Sequence, residues 1–388
     1  MFPSFLRTPR YLANITAHFA VDLLNSTVPL ILALFSVSLG LSNTAVGLLA
    51  TFYTLGNSLT QPLFGWLVDR YGLRRLGAAG VAWLAGFYAL AALLPGWGAL
   101  VALAAAGIGS AAFHPQGVMR AGQVDLRHVA TATAMFFMFG QIALGLGPAV
   151  AGTLVETWGR PSLAFLASLG LLAALALSRQ HFPRPAAAPA ARQNSTRASQ
   201  RFGALALALF ALLLFSRMTV QSTTTTFLPK YLQDSGWTPA RYGVASSMLM
   251  IGSAVGNLVG GGLADRWGRR RVVAGSLFVV TPVLWLYLGA AGLGFHALIF
   301  IIGMLTGAGF SVTVVMAQAL LPGRQALASG LTLGFIFASG AIGAAVAGWI
   351  ADSVGLAWVL RGVAGLALLG GLCALALPAT RFGQTHAA

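Results

Sequence analysis

An acidic side chain in the middle of an apolar run is the feature of this sequence that first suggests chemistry. Asp22 lies well inside the run near 11–38. A carboxylate at the centre of a membrane costs about 2.5–3.5 kcal/mol, so it is expected to serve a function or to have a strong partner. His18 lies four residues earlier, on the same face of a helix, and Asn25 follows about one turn later. We predict that Asp22 and His18 exchange protons; a structural hydrogen bond to a neighbouring helix is the alternative.

A second histidine lies in the segment Phe113-His-Pro-Gln-Gly117, within the run near 98–120. A proline inside a helix loosens the hydrogen-bond ladder and can kink the helix. Histidine is the side chain that changes its charge near physiological pH. His114 is therefore a third candidate for proton coupling, and an ordinary hydrogen-bonded side chain is the alternative. We assign three amide side chains to substrate binding: Asn25, Gln116 and Gln141.

A cation lies in the run near 203–231. Many apolar residues precede Arg217, and they oppose snorkelling of its side chain to the cytoplasm, which is the alternative interpretation. We expect its guanidinium either to pair with Asp22 or to bind an anionic group of a substrate through its planar fork. Gln221 begins the polar stretch Gln221-Ser-Thr-Thr-Thr-Thr226 and is also assigned to substrate binding, although these side chains could instead hydrogen-bond carbonyls of their own helix.

The composition places these residues in a membrane protein. Of 388 residues, 57% are hydrophobic and only 8% are charged. Continuous apolar runs of roughly 20 residues match a hydrocarbon core about 30 Å thick, whereas a membrane β-barrel would show short alternating segments. The formal net charge of +16 does not indicate nucleic-acid binding, because the basic residues cluster in short loops without interleaved aromatic residues.

Enzymes, metalloproteins and disulfide-stabilised proteins are disfavoured. Cys373 is the single cysteine and lies in an apolar run, and the sequence lacks a phosphate-binding loop of the G-x-x-x-x-G-K-[ST] type. A nucleophile–base set and a cluster with metal-ligand spacing are also missing from the sequence. We therefore assign no catalytic residue, no metal ligand and no cofactor. The apolar stretch after the basic head Met1–Arg10 is too long for a signal peptide, so we expect it to remain as the first spanning helix.

Twelve apolar runs organise the chain, near 11–38, 44–68, 76–94, 98–120, 129–156, 161–179, 203–231, 240–264, 272–292, 295–320, 326–352 and 356–378. The segment 180–201 is rich in proline, alanine and arginine and is typical of a loose linker. We therefore predict two six-helix bundles, 1–179 and 202–388. Basic loops are retained in the cytoplasm, and the excess of Lys and Arg on the side of the linker predicts that both termini are cytoplasmic.

The stretch between the second and third runs occurs again between the eighth and ninth runs. Gly65-Trp-Leu-Val-Asp-Arg-Tyr-Gly-Leu-Arg-Arg75 and Gly261-Gly-Leu-Ala-Asp-Arg-Trp-Gly-Arg-Arg-Arg271 share seven residues at an offset of 196. Further matches at this offset include Gly152 with Gly348 and Glu156 with Asp352. The chain therefore consists of two copies of one unit. Matched glycines are expected where helices approach closely in lipid.

Two six-helix halves, a basic linker and a duplicated G-x-L-x-D-R-x-G-x-R-R loop resemble the major facilitator superfamily over essentially the whole chain. The resemblance implies alternating access, in which the two halves rock around a central cavity. It also implies that the repeated loop forms a gate on the cytoplasmic side, held by its aspartate. We assign ten residues to this gate: Gly65, Asp69, Arg70, Gly72, Arg74, Gly261, Asp265, Arg266, Gly268 and Arg270.

The polar residues of the first, fourth and seventh runs resemble the fosmidomycin-resistance-type branch of the superfamily. This resemblance implies a proton-driven exporter of small drugs or metabolites, a monomer in the bacterial inner membrane. Many family members have R-x-x-Q-G in the fourth helix, where the arginine serves proton coupling. Here Phe113 replaces that arginine. The departure shifts the predicted proton coupling to His18, Asp22 and His114.

Two other functions stay open. One is a proton-coupled importer of organic anions or sugars, because the fold serves both directions and Arg217 suits an anion in either case. The other is a membrane sensor or scaffold that does not transport. Gate loops in both halves and several polar groups inside apolar runs argue against that last function.

Overall fold

The computed structural model describes residues 7–124, 128–181, 204–318 and 325–378, and within these ranges the chain is built mainly from α-helices. The helices are α1 (Pro9–Ser26), α2 (Val28–Ser38), α3 (Asn43–Leu59), α4 (Gln61–Tyr71), α5 (Leu76–Leu93), α6 (Gly96–Gln123), α7 (Val129–Trp158), α8 (Leu163–Ser178), α9 (Ala204–Asp234), α10 (Pro239–Trp267), α11 (Arg269–Leu286), α12 (Gly292–Gly307), α13 (Phe310–Gln318), α14 (Gln325–Val354) and α15 (Leu356–Ala376).

Each predicted apolar run coincides with one helix or with two consecutive helices. The first run contains α1 and α2, the second contains α3 and α4, and the tenth contains α12 and α13. Within the described ranges, eleven helical segments are long and apolar enough to cross a membrane. The prediction of an all-helical, multi-pass membrane protein is therefore confirmed. The second run, which is divided into helices of 17 and 11 residues, is not among these segments. A twelfth span and cytoplasmic termini stay predictions.

The interruptions in the first two runs have the same local cause. Thr27 and Thr60 each stand two residues before a proline, Pro29 or Pro62, which lacks the N–H needed to continue the helical hydrogen bonds. Each threonine hydroxyl donates to a carbonyl of the preceding turn, at 2.7 Å and 2.5 Å respectively. In both runs the interruption thus coincides with a threonine and the proline that follows it.

The chain divides into two compact units. The first comprises Met1–Leu41, Leu49–Ala188 and Leu232–Ser247, and the second comprises Ser42–Leu48, Pro189–Tyr231 and Met248–Ala388. Compared with the predicted bundles, short segments that include the beginnings of α3 and α10 are exchanged, and the predicted bundle boundaries stay a prediction. The predicted linker, 180–201, lies outside the described residues apart from its first two positions.

The acidic pair found in the sequence repeat occupies equivalent places in the two units. In the first unit, Glu156 at the end of α7 accepts a hydrogen bond from the N–H of Ala240 in the first turn of α10, at 2.8 Å. In the second unit, Asp352 accepts from the N–H groups of Asn43 and Thr44 in the first turn of α3, at 2.7 and 2.9 Å. A carboxylate is favourable at a helix N-terminus, where the helix dipole is positive. Two acidic residues separated by the offset of 196 thus make the same kind of contact, each with the first turn of a helix in its own unit.

Backbone contacts hold α6 in place within the first unit. A Cβ atom on Gly80 of α5 would lie 2.6 Å from the carbonyl oxygen of Gly109 on α6, so the helices touch where both residues are glycine. On another side, Asn14 of α1 donates to the carbonyl oxygen of Gly117 at 2.8 Å. Tyr11 of α1 donates to a carbonyl of α7 at 2.6 Å. These contacts position the polar face of α1 between α6 and α7.

Candidate functional site

Asp22 on α1 lies between two histidines in the first unit. Its Oδ2 atom is 3.1 Å from Nε2 of His18 on the same helix, and its Oδ1 atom is 3.3 Å from Nε2 of His114 on α6. His18 and Asp22 are buried, whereas the His114 side chain is 19% exposed. The structure thus brings together the three residues predicted for proton coupling. We call them the carboxylate–histidine cluster.

The second ring nitrogen of each histidine faces a carbonyl oxygen. Nδ1 of His18 is 2.8 Å from the carbonyl oxygen of Phe136 on α7, and Nδ1 of His114 is 2.9 Å from that of Ser110. A carbonyl oxygen only accepts, so each Nδ1 carries a hydrogen in order to make this bond. One proton shared between Nε2 and the carboxylate then completes each histidine–aspartate contact. The cluster therefore has two positions that can hold a further proton.

Occupancy of these two positions sets the charge of the cluster. When both hold a proton, one carboxylate faces two imidazolium rings and the cluster carries one net positive charge. When one holds a proton, the cluster is neutral. Uncompensated charge is costly in a buried site. Exchange of a single proton between these states therefore changes both the charge inside the unit and a hydrogen bond between α1 and α6.

Two residues of α7 that the sequence analysis missed shape the cluster. The imidazole of His18 stacks on the ring of Phe136, with centroids 3.8 Å apart and planes inclined by 1°. Gly140 lies four residues later, where a Cβ atom would be 2.5 Å from Oδ2 of Asp22 and 2.9 Å from Nε2 of His18. Glycine thus allows α7 to approach the cluster. Its sequence signal was its place one turn after Phe136, but the chain has 48 glycines and this one did not stand out.

The same side chains have atoms that could hold a divalent cation. One potential ligand atom from each of His18, Asp22 and His114 lies within 4.8 Å of the others. Imidazole and carboxylate donors suit zinc and related metals. The sequence analysis found no such set, because His114 is far from the other two residues along the chain. Both Nε2 atoms already have the carboxylate as a hydrogen-bond partner, and proton coupling by the cluster stays a prediction.

Asn25, predicted for substrate binding, extends the polar contacts of α1. Its Nδ2 atom donates to Oγ of Ser110 at 2.9 Å, and its Oδ1 atom accepts from the hydroxyl of Tyr53 on α3 at 2.5 Å. The same Ser110 Oγ is 3.3 Å from Nδ1 of His114. Asn25 is thus connected to the cluster through Ser110. Tyr53 is a further participant that the sequence analysis did not single out.

Gln116, also predicted for substrate binding, faces a different part of the unit. Its Oε1 atom accepts a hydrogen bond from the N–H of Gly77, and its Nε2 atom donates to the carbonyl oxygen of Leu73, both at 2.8 Å. The side chain is buried. Both the oxygen and the nitrogen of its amide thus bond the connection between α4 and α5, which contains part of the predicted gate.

The predicted gate residues extend from Gly65 in α4 to Arg74 after that helix, and from Gly261 in α10 to Arg270 at the start of α11. Gly72 and Gly268 have positive φ angles of 61° and 91°, and each N–H bonds the carbonyl four residues earlier. Such a left-handed residue ends a helix and favours glycine. Seven charged residues of the two repeated stretches are exposed: Asp69, Arg70, Arg74, Arg75, Asp265, Arg266 and Arg271. In the described part of the chain, neither aspartate forms an ion pair. Their role in a gate stays a prediction.

The other gate residues make contacts within their own units. Arg270 donates to the carbonyl oxygen of Leu377 at 2.6 Å, and the carbonyl oxygen of Arg74 accepts from Arg120 on α6. A Cβ atom on Gly65 would lie 3.7 Å from Pro115, and one on Gly261 would lie 4.0 Å from Ser311. Positions 115 and 311 are related by the same offset as the two glycines. The repeated loops therefore pack against equivalent helices.

Arg217 on α9 is 1% exposed in the second unit. Its Nη2 atom donates to the carbonyl oxygen of Thr306 near the end of α12, at 2.6 Å, and its guanidinium carbon lies 5.8 Å from the ring centre of Phe310 at the start of α13. A cation is favourable near the C-terminus of a helix. Arg217 forms no ion pair with any of the described residues. Among those residues, Arg217 therefore lacks a carboxylate that would balance its charge.

The two remaining candidates differ in their surroundings. Gln221 lies one turn after Arg217, and its Nε2 atom donates to Oγ of Ser253 at 3.4 Å. Its buried Oε1 atom has no hydrogen-bond partner among the described residues. A buried acceptor near a buried cation suits a ligand that brings a donor together with an anionic group. Gln141 on α7 is exposed.

Comparison with known proteins agrees with this architecture. Residues 11–238 and 209–386 match the family model described as Major Facilitator Superfamily. The chain is 29% identical over 363 residues to the fosmidomycin resistance protein of Escherichia coli (strain K12), a match that covers 91% of this chain and 89% of that protein. It is 27% identical over 380 residues to the uncharacterized MFS-type transporter YfnC of Bacillus subtilis (strain 168), covering 93% and 90%. The fold is shared with a bacterial homologue of the human lysosomal transporter Spinster, solved in an inward-facing and occupied conformation, with a TM-score of 0.74 over 96% of both chains and 16% identity.

Proposed function

The chain belongs to the major facilitator superfamily, whose members are carriers rather than enzymes, and from this premise we propose that it exports small organic molecules in exchange for protons. The observation that carries the proposal is the carboxylate of Asp22 between two imidazoles inside the first unit. The relative from Escherichia coli is named for resistance to fosmidomycin, and this name favours export.

The two histidines have different roles in this proposal. His18 and Asp22 are on the same helix, so their contact does not change when helices move relative to each other. His18 is also fixed by its stacking on Phe136 and by the bond to the carbonyl of that residue. His18 therefore orients the carboxylate. The contact between Asp22 and His114 joins α1 to α6 and involves the more exposed histidine, so it is the one that forms and breaks during proton exchange.

Protons and substrate act on one equilibrium between two conformations. A ligand shifts such an equilibrium only by binding one conformation more tightly than the other. The proton shared by Asp22 and His114 favours the conformation in which α1 and α6 are joined at this point. Substrate favours the other conformation and thereby lowers the affinity for that proton, as linkage requires. This coupling would let an inward proton gradient drive substrate outward.

Arg217 supplies the substrate preference in this proposal. Its guanidinium is buried, donates to the Thr306 carbonyl and to Sδ of Met218, and lacks an acidic partner among the described residues. Its planar fork can bind a carboxylate, phosphate or phosphonate through two parallel hydrogen bonds. Gln221, one turn away, adds a free acceptor. We propose that the exported molecules carry an anionic group that binds Arg217. Substrate binding by Asn25 and Gln141 stays a prediction from the sequence.

The membrane arrangement completes the proposal. Twelve spans in two six-helix halves, 1–179 and 202–388, are joined by the linker 180–201, with both termini in the cytoplasm. The transporter works as a monomer in the inner membrane of a bacterium, with a small molecule and protons as its partners. The excess of basic residues on one side supports this orientation.

A second function is supported by one observation. An uncompensated buried arginine attracts an anion whichever way the anion moves, so a proton-coupled importer of organic anions or sugars is the alternative. A sensor or scaffold without transport ranks third, because it gives no reason for the buried carboxylate–histidine cluster.

An assay in proteoliposomes tests the proposal. A panel of drugs and organic anions is added to vesicles that have an imposed pH gradient, and proton movement is followed with a pH-sensitive dye. Proton movement in the direction opposite to the substrate supports export by antiport. Alkalinisation of the medium outside the vesicles during substrate uptake supports the importer. If no compound of the panel moves protons, both proton-coupled functions are contradicted. The Asp22→Asn variant should lose the proton movement, whereas Asp352→Asn, the same substitution at a helix terminus, should retain it.

A further inference from the structure

The helix α6 presents different polar residues to two parts of the first unit. His114 contacts Asp22 through Nε2 at 3.3 Å. Gln116, two residues later, contacts the connection between α4 and α5. Successive residues of an α-helix are separated by about 100°, so these side chains leave the helix on nearly opposite sides. One helix thus contacts the carboxylate–histidine cluster on one side and part of the predicted gate on the other.

The contact made by Gln116 is specific and tight. Its amide accepts from the N–H of Gly77 and donates to the carbonyl of Leu73, so it bridges the two ends of the segment 73–77. A Cβ atom on Gly77 would lie 2.7 Å from Oε1 of Gln116. Glycine at this position therefore permits the approach. Both the oxygen and the nitrogen of the amide have partners in this segment, and the side chain is only 2% exposed.

A second side chain of α6 reaches the same segment. Arg120 lies one turn after Gln116, is 5% exposed, and donates to the carbonyl oxygen of Arg74, which lies between the two residues bound by Gln116. Three hydrogen bonds from α6 thus hold the backbone of the loop that bears gate residues Gly72 and Arg74. Between His114 and Gln116 lies Pro115, which removes one helical hydrogen bond and lets the helix adjust its direction there.

We propose that Gln116 is a positioning residue that links the carboxylate–histidine cluster to the predicted cytoplasmic gate, with Arg120 as its second contact. When the contact between Asp22 and His114 changes, α6 moves, and the amide of Gln116 moves the segment 73–77 with it. The inference rests on the proposed proton coupling. It gives Gln116 a role other than substrate binding.

Charged and titratable groups lie at both ends of this connection. At the cluster, Asp22 and His18 of α1 face His114, and Tyr53 of α3 is connected to the helix of Asp22 through Asn25.

At the loop, Arg120 donates to the backbone of Arg74, and Arg74, Arg75 and His181 line one cavity. The uncharged amide of Gln116 lies between these two groups. Because His181 could change the loop signal with pH by itself, only the part of the response that Asp22→Asn removes is assigned to the cluster.

The test reports the position of the loop directly. In a Cys373→Ser background, Leu73→Cys introduces one cysteine on the loop at an exposed position, which is labelled with an environment-sensitive dye whose emission does not itself depend on pH. Dye emission is compared at pH 6 and pH 8 in the wild-type background and with Gln116→Leu, together with proton flux and melting temperature. We expect a pH-dependent emission change that Gln116→Leu reduces at least threefold, and a transport cycle that moves fewer protons per substrate.

Three further variants keep the test decisive if Gln116→Leu does not fold. Gly77→Ala places a methyl group against Oε1 of Gln116 and should reproduce the loss, whereas Gly86→Ala on the same helix has no atom within 4 Å of its Cβ and should not. Gln116→Glu keeps the acceptor for Gly77 but loses the donor to Leu73, so it should restore part of the response.

The outcomes separate this inference from the proposed function. If wild-type protein moves protons with substrate, and its loop responds to pH equally with and without Gln116, the inference is wrong and the proposed function stands. The same conclusion follows if the loop of the transporting protein does not respond to pH. If substrate evokes no proton movement in the wild type, the proposed function fails first. A response that Asp22→Asn and Gln116→Leu both remove, with Gly86→Ala unaffected, supports the link.

Discussion

Replacement of Gly140 by alanine is the perturbation that tests the geometry of the cluster most sharply. The new Cβ atom would lie 2.5 Å from Oδ2 of Asp22 and 2.9 Å from Nε2 of His18, whereas ordinary contacts begin near 3.4 Å. The carboxylate must therefore move by about 1 Å. Where a reaction requires a precise geometry, a misplacement of about 1 Å can lower its rate about a hundredfold. Alanine otherwise stabilises a helix by roughly 0.5–1 kcal/mol relative to glycine. A loss of function therefore has to come from the displaced cluster.

The assay compares proton-coupled transport by Gly140→Ala with that by Gly86→Ala, whose added methyl group meets nothing within 4 Å. Initial rates are measured in proteoliposomes at equal protein content. We expect Gly140→Ala to lose roughly a hundredfold in rate, and Gly86→Ala to transport at the wild-type rate. If Gly140→Ala transports and moves protons as the wild type does, the reasoning that the Asp22–His18 geometry is needed for coupling is refuted.

Three further substitutions test separate parts of the account. Asp352→Asn removes the charge at the first turn of α3 and should lower the free energy of unfolding by about 0.3–1 kcal/mol, read as a lower melting temperature with transport retained. Arg217→Lys keeps the charge but loses the fork, so KM for anionic substrates should rise roughly tenfold, as expected when a charge-assisted hydrogen bond of about 1.5 kcal/mol is lost, while KM for neutral substrates stays constant. Asp69→Asn should weaken transport while leaving membrane insertion intact, and equal transport by the mutant and the wild type in vesicles would remove the gating role of this residue.

Much of the fold could be predicted from local sequence patterns. Long apolar runs require helices in lipid, and each predicted run does contain one helix or two. The interruption at Thr60 was not predicted, although Pro62 was visible, because a proline in a membrane helix can either kink the helix or divide it. Glu156 and Asp352 were recognised as a pair from their offset in the sequence. The structure shows that each carboxylate accepts a hydrogen bond from the first turn of a helix.

The candidate site was predictable only where its residues share a helix. The spacing of His18 and Asp22 places both on one face, whereas the contact of Asp22 with His114 depends on which helices are neighbours, and a single sequence does not contain that information. For the same reason Gln116 was assigned to substrate although its amide binds backbone atoms about 40 residues earlier in the chain. Gly140 was the hardest of these residues to predict. Glycine has no side chain, and the need for it at this position follows only from the closeness of Asp22 and His18.

Proton release on substrate binding tests the central claim most directly. Purified protein in weakly buffered detergent solution is mixed with a transported substrate, and the pH change is followed with a dissolved indicator. We predict that the wild type releases about one proton per molecule, as linkage between substrate and the shared proton requires, and that Asp22→Asn releases none. Equal release by both proteins would contradict the assignment of proton coupling to Asp22 and its two histidines.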